Sequence, residues 1–342
     1  MGAAALASGG VDLRTTDYHT AGEPFRIVLE GAPQLPGATV AERRANALES
    51  AEAQAVRRFL CHEPRGHADM YGGFVVEPDD AGAELGVLFW HKDGFSTACG
   101  HGTIALGAWA VESGRVEAPV DGEVTVAIDV PSGRVGARVR MVGGEVASVA
   151  FRNVPAYVIE RGVEVETARG RLAVDVSYGG AIYASLPAAA AGLSVVPEDL
   201  GELIALGREI KWALDGAAVA RHGDERLSGI YGTIWFDALG AGGLHQRNVA
   251  IFADGQVDRS PCGSGTSARV ALLAADGRLP AGSELRHDSI VGSTFRARVI
   301  EELRAEGHDA VVTEVEGTAH RTGEHRFVLD PRDELADGFV LR

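Results

Sequence analysis

Two cysteines sit in the same short pattern. Cys99-Gly100-His101-Gly102-Thr103-Ile104-Ala105 and Cys262-Gly263-Ser264-Gly265-Thr266-Ser267-Ala268 both read Cys-Gly-x-Gly-Thr-x-Ala, and each runs into small apolar residues, 106–110 and 270–274. Asp258-Arg259-Ser260-Pro261 precedes the second copy. Ser before Pro predicts a helix start, with Ser260 as N-cap and Pro261 at the first helical position, so Cys262 falls in the first turn. Such a turn offers unpaired N–H groups and the positive end of the helix dipole, which favour an anion. These surroundings lower a thiol pKa and make a usable thiolate.

Two matched thiols suit paired acid/base work. One thiolate removes a proton from a carbon and the partner thiol returns one to the opposite face, which inverts the centre. The same amides can hold a carboxylate and the charge that grows on it. Four other readings compete. A disulfide conflicts with three cysteines in a long chain, which make no disulfide framework and point to a reducing cytoplasm. Zinc could take Cys99 and His101, but tight Cys-x-x-Cys pairs are missing. A phosphate cradle lacks both the Walker lysine and the Gly-x-Gly-x-x-Gly spacing. Coincidence between two small-residue helix starts is the plainest. No pyridoxal, flavin or metal motif is visible, so the expected chemistry uses no cofactor.

The rest of the chain must position these loops. Its 342 residues fit two domains better than one core. The formal charge is −16 without basic clusters, which argues against nucleic acid and an anionic membrane surface. No apolar run reaches the length of a membrane span. Residues 1–10 make a poor secretory signal, and Leu6 stands where a myristoylation motif needs Ser or Thr. Thr39-Val40-Ala41-Glu42 is a capping-box signature, predicting a helix to about residue 60. Alternating β-branched residues over 123–154 predict an antiparallel meander. Strands are expected again over 156–159 and 172–186, then a helix over about 197–214. The programme of strands, helix, strands, cysteine loop and helix therefore runs twice with a period of about 160 residues, too long for a solenoid. A duplicated α+β domain is the economical reading.

The residues resemble the proline racemase family, which includes proline racemases, hydroxyproline 2-epimerases and trans-3-hydroxy-L-proline dehydratases. The resemblance covers nearly the whole chain. It rests on Asp17-Tyr18-His19-Thr20-Ala21-Gly22-Glu23, on Glu63-Pro64-Arg65-Gly66-His67-Ala68-Asp69-Met70, on both cysteine loops with Val257-Asp258 before the second, and on Thr322-Gly323. It implies two similar domains of the diaminopimelate-epimerase type, each a curled, mainly antiparallel sheet around a central helix, with the active site in the interdomain cleft. The domains would span 11–154 plus about 325–342, carrying Cys99, and 155–324, carrying Cys262. A homodimer and a small imino-acid substrate are also implied.

Carried over, Cys99 and Cys262 would be the acid/base thiols. Backbone amides of Gly100, His101, Gly263 and Ser264 would grip the carboxylate, and Asp258 would contact the ring nitrogen. Cys61 matches none of the motifs. Ala98 replaces a common Met and Ser264 a frequent Thr. No histidine lies between Tyr231 and Leu244, where 4-hydroxyproline epimerases place a substrate contact, which weighs against a 4-hydroxy substrate. The wording of the chain is nearest the 3-hydroxyproline dehydratases, yet those typically carry threonine where this chain has Cys262. Retaining that thiol favours inversion at C2 of proline or a hydroxyproline. Dehydration with Cys99 as base is the alternative, and a non-catalytic imino-acid binding protein is the third.

Overall fold

The computed structural model describes residues 11–240, 242–280 and 282–341, so the reading of residues 1–10 lies outside the described residues. The fold is α+β. The chain divides into two compact units, 1–147 with 319–342, and 148–318; the sequence reading drew the lines at 154/155 and 324/325.

In the first unit Asp12–Thr20 pairs antiparallel with both Ala319–Val328 and Glu23–Glu30. Glu23–Glu30 lies parallel to Tyr71–Val76 through a crossover that holds helices α1 (Val40–Glu49) and α2 (Ala51–Cys61). Tyr71–Val76 pairs antiparallel with Leu85–His91, which lies parallel to Gly122–Val130. That second crossover carries the short strand Gly94–Phe95, then Cys99, then helix α3 (Gly100–Glu112). Gly133–Val142 follows antiparallel.

The second unit repeats this order. Gly170–Tyr178 pairs antiparallel with Ile182–Pro187, which is parallel to Ile230–Ala238 across helix α4 (Leu200–Leu214). His245–Phe252 is antiparallel to Ile230–Ala238 and parallel to Leu285–Ser289. The crossover here carries Gln256–Val257, Cys262 and helix α5 (Gly263–Ala275). Thr294–Ala305 follows antiparallel, and His308–Gly317 and Ala156–Thr167 link it back to Gly170–Tyr178. Each cysteine thus stands at the same place, where a two-residue strand hands the chain to a crossover helix.

Both helices are buried because most of their side chains are apolar or absent and the polar ones are hydrogen-bonded inside, as Arg269 is to Gln246 and Ser267 to Thr313. Every residue of 100–110 and of 263–273 is buried. Glycine and alanine let the strands approach closely; α3 packs on Asp12–Thr20, Gly133–Val142 and Ala319–Val328, and α5 on Ala156–Thr167 and His308–Gly317.

Local chemistry sets several boundaries. Thr39 Oγ1 accepts the Glu42 N–H at 3.2 Å, as a capping box requires, while the Glu42 carboxylate accepts from Ala38 N–H rather than from Thr39. The helix predicted to run to residue 60 is broken: Ser50 is extended (φ −78°, ψ 113°), and its Oγ caps α2 through the Ala53 N–H at 3.1 Å. A 3₁₀ turn, Pro197–Asp199, precedes α4. The apolar run over 172–186 is two strands, divided at Gly179-Gly180.

The Asp17–Glu23 motif is a hairpin turned by Ala21 (φ 51°) and Gly22 (φ 98°), the positive values that a tight two-residue turn demands. Its Asp17 forms a buried bidentate pair with Arg26, with Nη2 to Oδ2 at 2.8 Å. Arg26 also donates to the Leu60 and Arg65 carbonyls and lies 4.5 Å over the Phe327 ring, tying α2 and both ends of the unit to one guanidinium. Thr322 Oγ1 donates to the Asp17 carbonyl at a bulge in the pairing. Removing one partner of a buried pair strands the other charge. Arg26→Ala is therefore expected to lower unfolding stability by about 3–5 kcal/mol in urea titration.

Candidate active site

Cys99 occupies the N-cap of α3 in extended backbone (φ −155°, ψ 101°). Its Sγ accepts the Gly102 N–H at 3.2 Å, and its carbonyl accepts both the N–H and the hydroxyl of Thr103. The His101 imidazole lies beside the sulfur, with Nδ1 at 3.4 Å and Nε2 at 3.5 Å. Burial pushes the His101 pKa down to about 3 against a smaller opposing pull from a backbone bond to Pro24, so the ring is neutral at physiological pH. Tyr71 and Phe25 meet it edge-on, with centroids at 4.9 and 5.8 Å. Tyr71 in turn bonds Ser96, and Thr20 Oγ1 donates to the His101 carbonyl at 2.9 Å. The Asp17–Glu23 and Glu63–Tyr71 motifs therefore both brace the first cysteine loop. Within the second of these Gly66 is obligatory, since a Cβ there would sit 2.1 Å from the Cys61 carbonyl oxygen. Cys61 itself is buried against the Met70 carbonyl, and burial raises its pKa to about 12.

The second loop is built differently from its sequence twin. Helix α5 begins at Gly263, and Cys262, not Ser260, is its N-cap residue. Cys262 has φ 63° and ψ 104°, a conformation that non-glycine residues rarely adopt. Ser260 acts one step earlier. Its N–H and hydroxyl both donate to Asp258 Oδ1, at 2.8 and 2.7 Å, and its Oγ accepts the Cys262 N–H at 3.1 Å. The Thr266 N–H closes the turn on the Cys262 carbonyl at 2.7 Å. Thr266 Oγ1 donates to the Pro261 carbonyl and meets buried His287 Nδ1 at 2.8 Å. Tyr183 reaches in from Ile182–Pro187, its hydroxyl 2.7 Å from Ser264 Oγ and 3.7 Å from Cys262 Sγ.

The electrostatics of Cys262 reverse the expectation of a lowered pKa there. Burial, then the neighbouring Asp258 carboxylate, drive its pKa well above the ordinary thiol range; the Gly265 amide and Tyr183 hydroxyl pull weakly the other way. Asp258 is raised to about 6 by burial, held back by its two bonds to Ser260. At neutral pH the arrangement is a carboxylate beside a protonated thiol.

The repeated spacing now has a physical reason. Gly at the third position after each cysteine leaves room for the sulfur: a Cβ on Gly102 would lie 2.8 Å from Cys99 Sγ, and one on Gly265 would lie 2.9 Å from Cys262 Sγ. Thr at the fourth position sends its N–H to the cysteine carbonyl in both loops. Of the residues named from the sequence, Cys99, Gly100 and His101 cluster in the first unit, and Asp258, Cys262, Gly263 and Ser264 in the second. Tyr183 and His287 belong to none of the sequence motifs, whereas Tyr71 ends the 63–71 stretch, which the sequence leaves open as site-shaping or as a structural turn. Tyr183 and His287 lie on strands 79 and 21 residues from the Cys262 and Thr266 side chains they meet, so no local pattern links them to the loop.

The sequence profile of the proline racemase family matches residues 15–340. This chain belongs to that family. Among its relatives, trans-3-hydroxy-L-proline dehydratase from Burkholderia cenocepacia and 3-hydroxyproline 2-epimerase from Burkholderia multivorans are each 44% identical over 332 residues, covering 96% of this chain and 98% of the relative. Two family structures share the fold. A hydroxyproline epimerase from Agrobacterium vitis, solved with trans-4-hydroxy-L-proline, is 28% identical, with a TM-score of 0.91 over 97% of this chain and 95% of the other. A probable proline racemase from Agrobacterium radiobacter, solved with carbonate, is 29% identical, with a TM-score of 0.90 over 96% of each chain.

If the third-position glycines are spacers for sulfur, filling them crowds the core. Gly102→Ala would also put its methyl 2.5 Å from Phe25 Cε2. The substitution is expected to cost about 1–3 kcal/mol of stability, the usual range for overpacking, read as a lower urea midpoint at unchanged slope.

Proposed function

We propose that this chain acts on trans-3-hydroxy-L-proline and removes water from it, with Cys99 as the base at C2. The observation that carries this reading is the 44% identity, along nearly the full length of both chains, with trans-3-hydroxy-L-proline dehydratase. The stereochemistry of that substrate agrees with the use of one thiol. In the trans isomer the C3 hydroxyl and the C2 carboxylate lie on opposite faces of the ring, so the C2 hydrogen and the hydroxyl share a face. Cys99 thiolate takes the C2 proton, the released electron pair forms the C2–C3 double bond, and the C3–O bond breaks. The departing oxygen takes the proton back from the Cys99 thiol and leaves as water. The resulting enamine tautomerises to the cyclic imine, pyrroline-2-carboxylate.

Other residues bind and orient. The amides of Gly100, His101, Gly263 and Ser264 head the two helices and suit the carboxylate and the negative charge that develops on it. The Asp258 carboxylate suits the protonated ring nitrogen. Neutral His101 against Cys99 offers a lone pair or an N–H without adding a charge that would compete for the thiolate.

A second reading, inversion at C2, is favoured by one specific observation: a relative that bears the name 3-hydroxyproline 2-epimerase is 44% identical over the same length. Inversion would use Cys262 as the second acid/base thiol. Sequence motifs alone put inversion first. The names of the most similar relatives put dehydration first.

The test is incubation with trans-3-hydroxy-L-proline, separating pyrroline-2-carboxylate from cis-3-hydroxy-D-proline, the C2 epimer. The imine is expected to accumulate. Cys99→Ala should lower its formation by about 10²–10⁴-fold, the usual worth of a general base, whereas Cys262→Thr should retain it. Accumulation of the epimer alone would replace dehydration by inversion, and absence of both products would refute the proposal.

A pH profile checks the role of Asp258. Its raised pKa means that it loses its charge as pH falls through about 6. The expected profile of kcat/KM drops below that pH in the native protein, and Asp258→Asn removes this limb while raising KM at neutral pH.

A further inference from the structure

Cys262 presents an acid/base problem that the two loops do not share. To give up a proton it must leave a thiolate in an apolar cluster of Ala181, Tyr183, Ile234, Ala250 and Ala268, beside a carboxylate. Each side of the sulfur is occupied by a different element. Asp258 faces it from the preceding loop, with the half-buried cation Arg259 bonded to the Val257 carbonyl. Ser264 and the Gly265 amide face it from α5, and Tyr183 from Ile182–Pro187, backed edge-on by Tyr231 at 5.7 Å. Of these side chains the Tyr183 phenol is a neutral donor that is fully buried and reaches both Sγ and a second acceptor, Ser264 Oγ.

We infer that Tyr183 is a positioning residue for Cys262: its hydroxyl donates to Ser264 Oγ while the cysteine is a thiol and turns to Sγ once the proton has left. The geometry permits this because the Tyr183–Ser264 contact, at 2.7 Å, works with either oxygen as donor. When Sγ becomes anionic, Tyr183 O–H points to sulfur at 3.7 Å and Ser264 O–H donates to the phenol oxygen. No proton is transferred between these groups; two hydroxyls rotate. The cysteine proton goes to its acceptor and its electron pair stays on sulfur. A hydrogen bond to an ionised partner is roughly twice as strong as a neutral one, so the rotation favours the thiolate. The Tyr183 ring could not be replaced by a free donor such as water without opening the cluster. In turnover the device bears on the inversion reading above, in which Cys262 must release its proton.

The test needs no substrate, so its outcome is separate from the fate of that reading. The reduced, folded protein is alkylated with iodoacetamide over a range of pH, and each cysteine is quantified by peptide mass, with Cys99 as the internal reference. Tyr183→Phe, which keeps the ring, is expected to move the Cys262 profile to higher pH and to slow it about tenfold on the rising limb, leaving Cys99 unmoved. A Tyr183→Phe profile that overlays the native one, or a rate changed by one factor at every pH, would overturn the inference, since the latter reports access alone.

Discussion

The structure depends on one close approach, that of a cysteine sulfur to the first turn of a helix with no exposed face. Room for that sulfur exists only because the third residue after each cysteine has no side chain. The helix can be buried on all sides because glycine, alanine and apolar side chains make up most of it and its polar side chains find partners inside, as Arg269 does with Gln246. Burial then removes the thiol from water and makes its few polar neighbours decisive, since a buried group responds strongly to whichever charges and donors remain. The strands, the paired crossovers and the bracing motifs all serve to hold that turn.

The same motif is tuned two ways. Cys99 sits in relaxed extended backbone beside a neutral imidazole, whereas Cys262 is held at positive φ by the Asp258–Ser260 network. Such strain persists only where the surroundings over-determine it, and it tends to mark functional sites. Burial, and after it the carboxylate that helps to fix Cys262, raises the pKa of that thiol. The consequence is a division of labour. Cys99 lies beside a neutral imidazole, whereas burial and the Asp258 carboxylate raise the pKa of Cys262, so under the proposed function the first thiol would suit a base and the second an acid. A chemistry that uses one face of C2 can run on the first loop alone, while one that uses both must also discharge the second.

Much of this was legible in the sequence. The duplicated cysteine pattern, the α+β class and the family were carried by residues whose spacing has a direct physical meaning, such as Gly102 and Gly265 beneath sulfur and Thr103 and Thr266 on the cysteine carbonyls. The helix boundary at Cys262 was misplaced because Ser260-Pro261 has the composition of a helix start, yet Ser260 spends its hydroxyl on Asp258 and the Cys262 amide. Ser50 divided a helix that its apolar pattern ran together. The lowered thiol pKa read from a helix start ignored what burial and a neighbouring carboxylate do in three dimensions. Tyr183 was invisible because 79 residues separate it from the sulfur it meets. Local signals recorded the backbone well; contacts between strand and loop were beyond them.

The most direct measurement is proton NMR of trans-3-hydroxy-L-proline with the reduced protein in D2O. The expected result is loss of the C2 proton signal in step with growth of pyrroline-2-carboxylate, at a rate that collapses in Cys99→Ala. A C2 signal that persists unchanged with folded, fully reduced protein would contradict it.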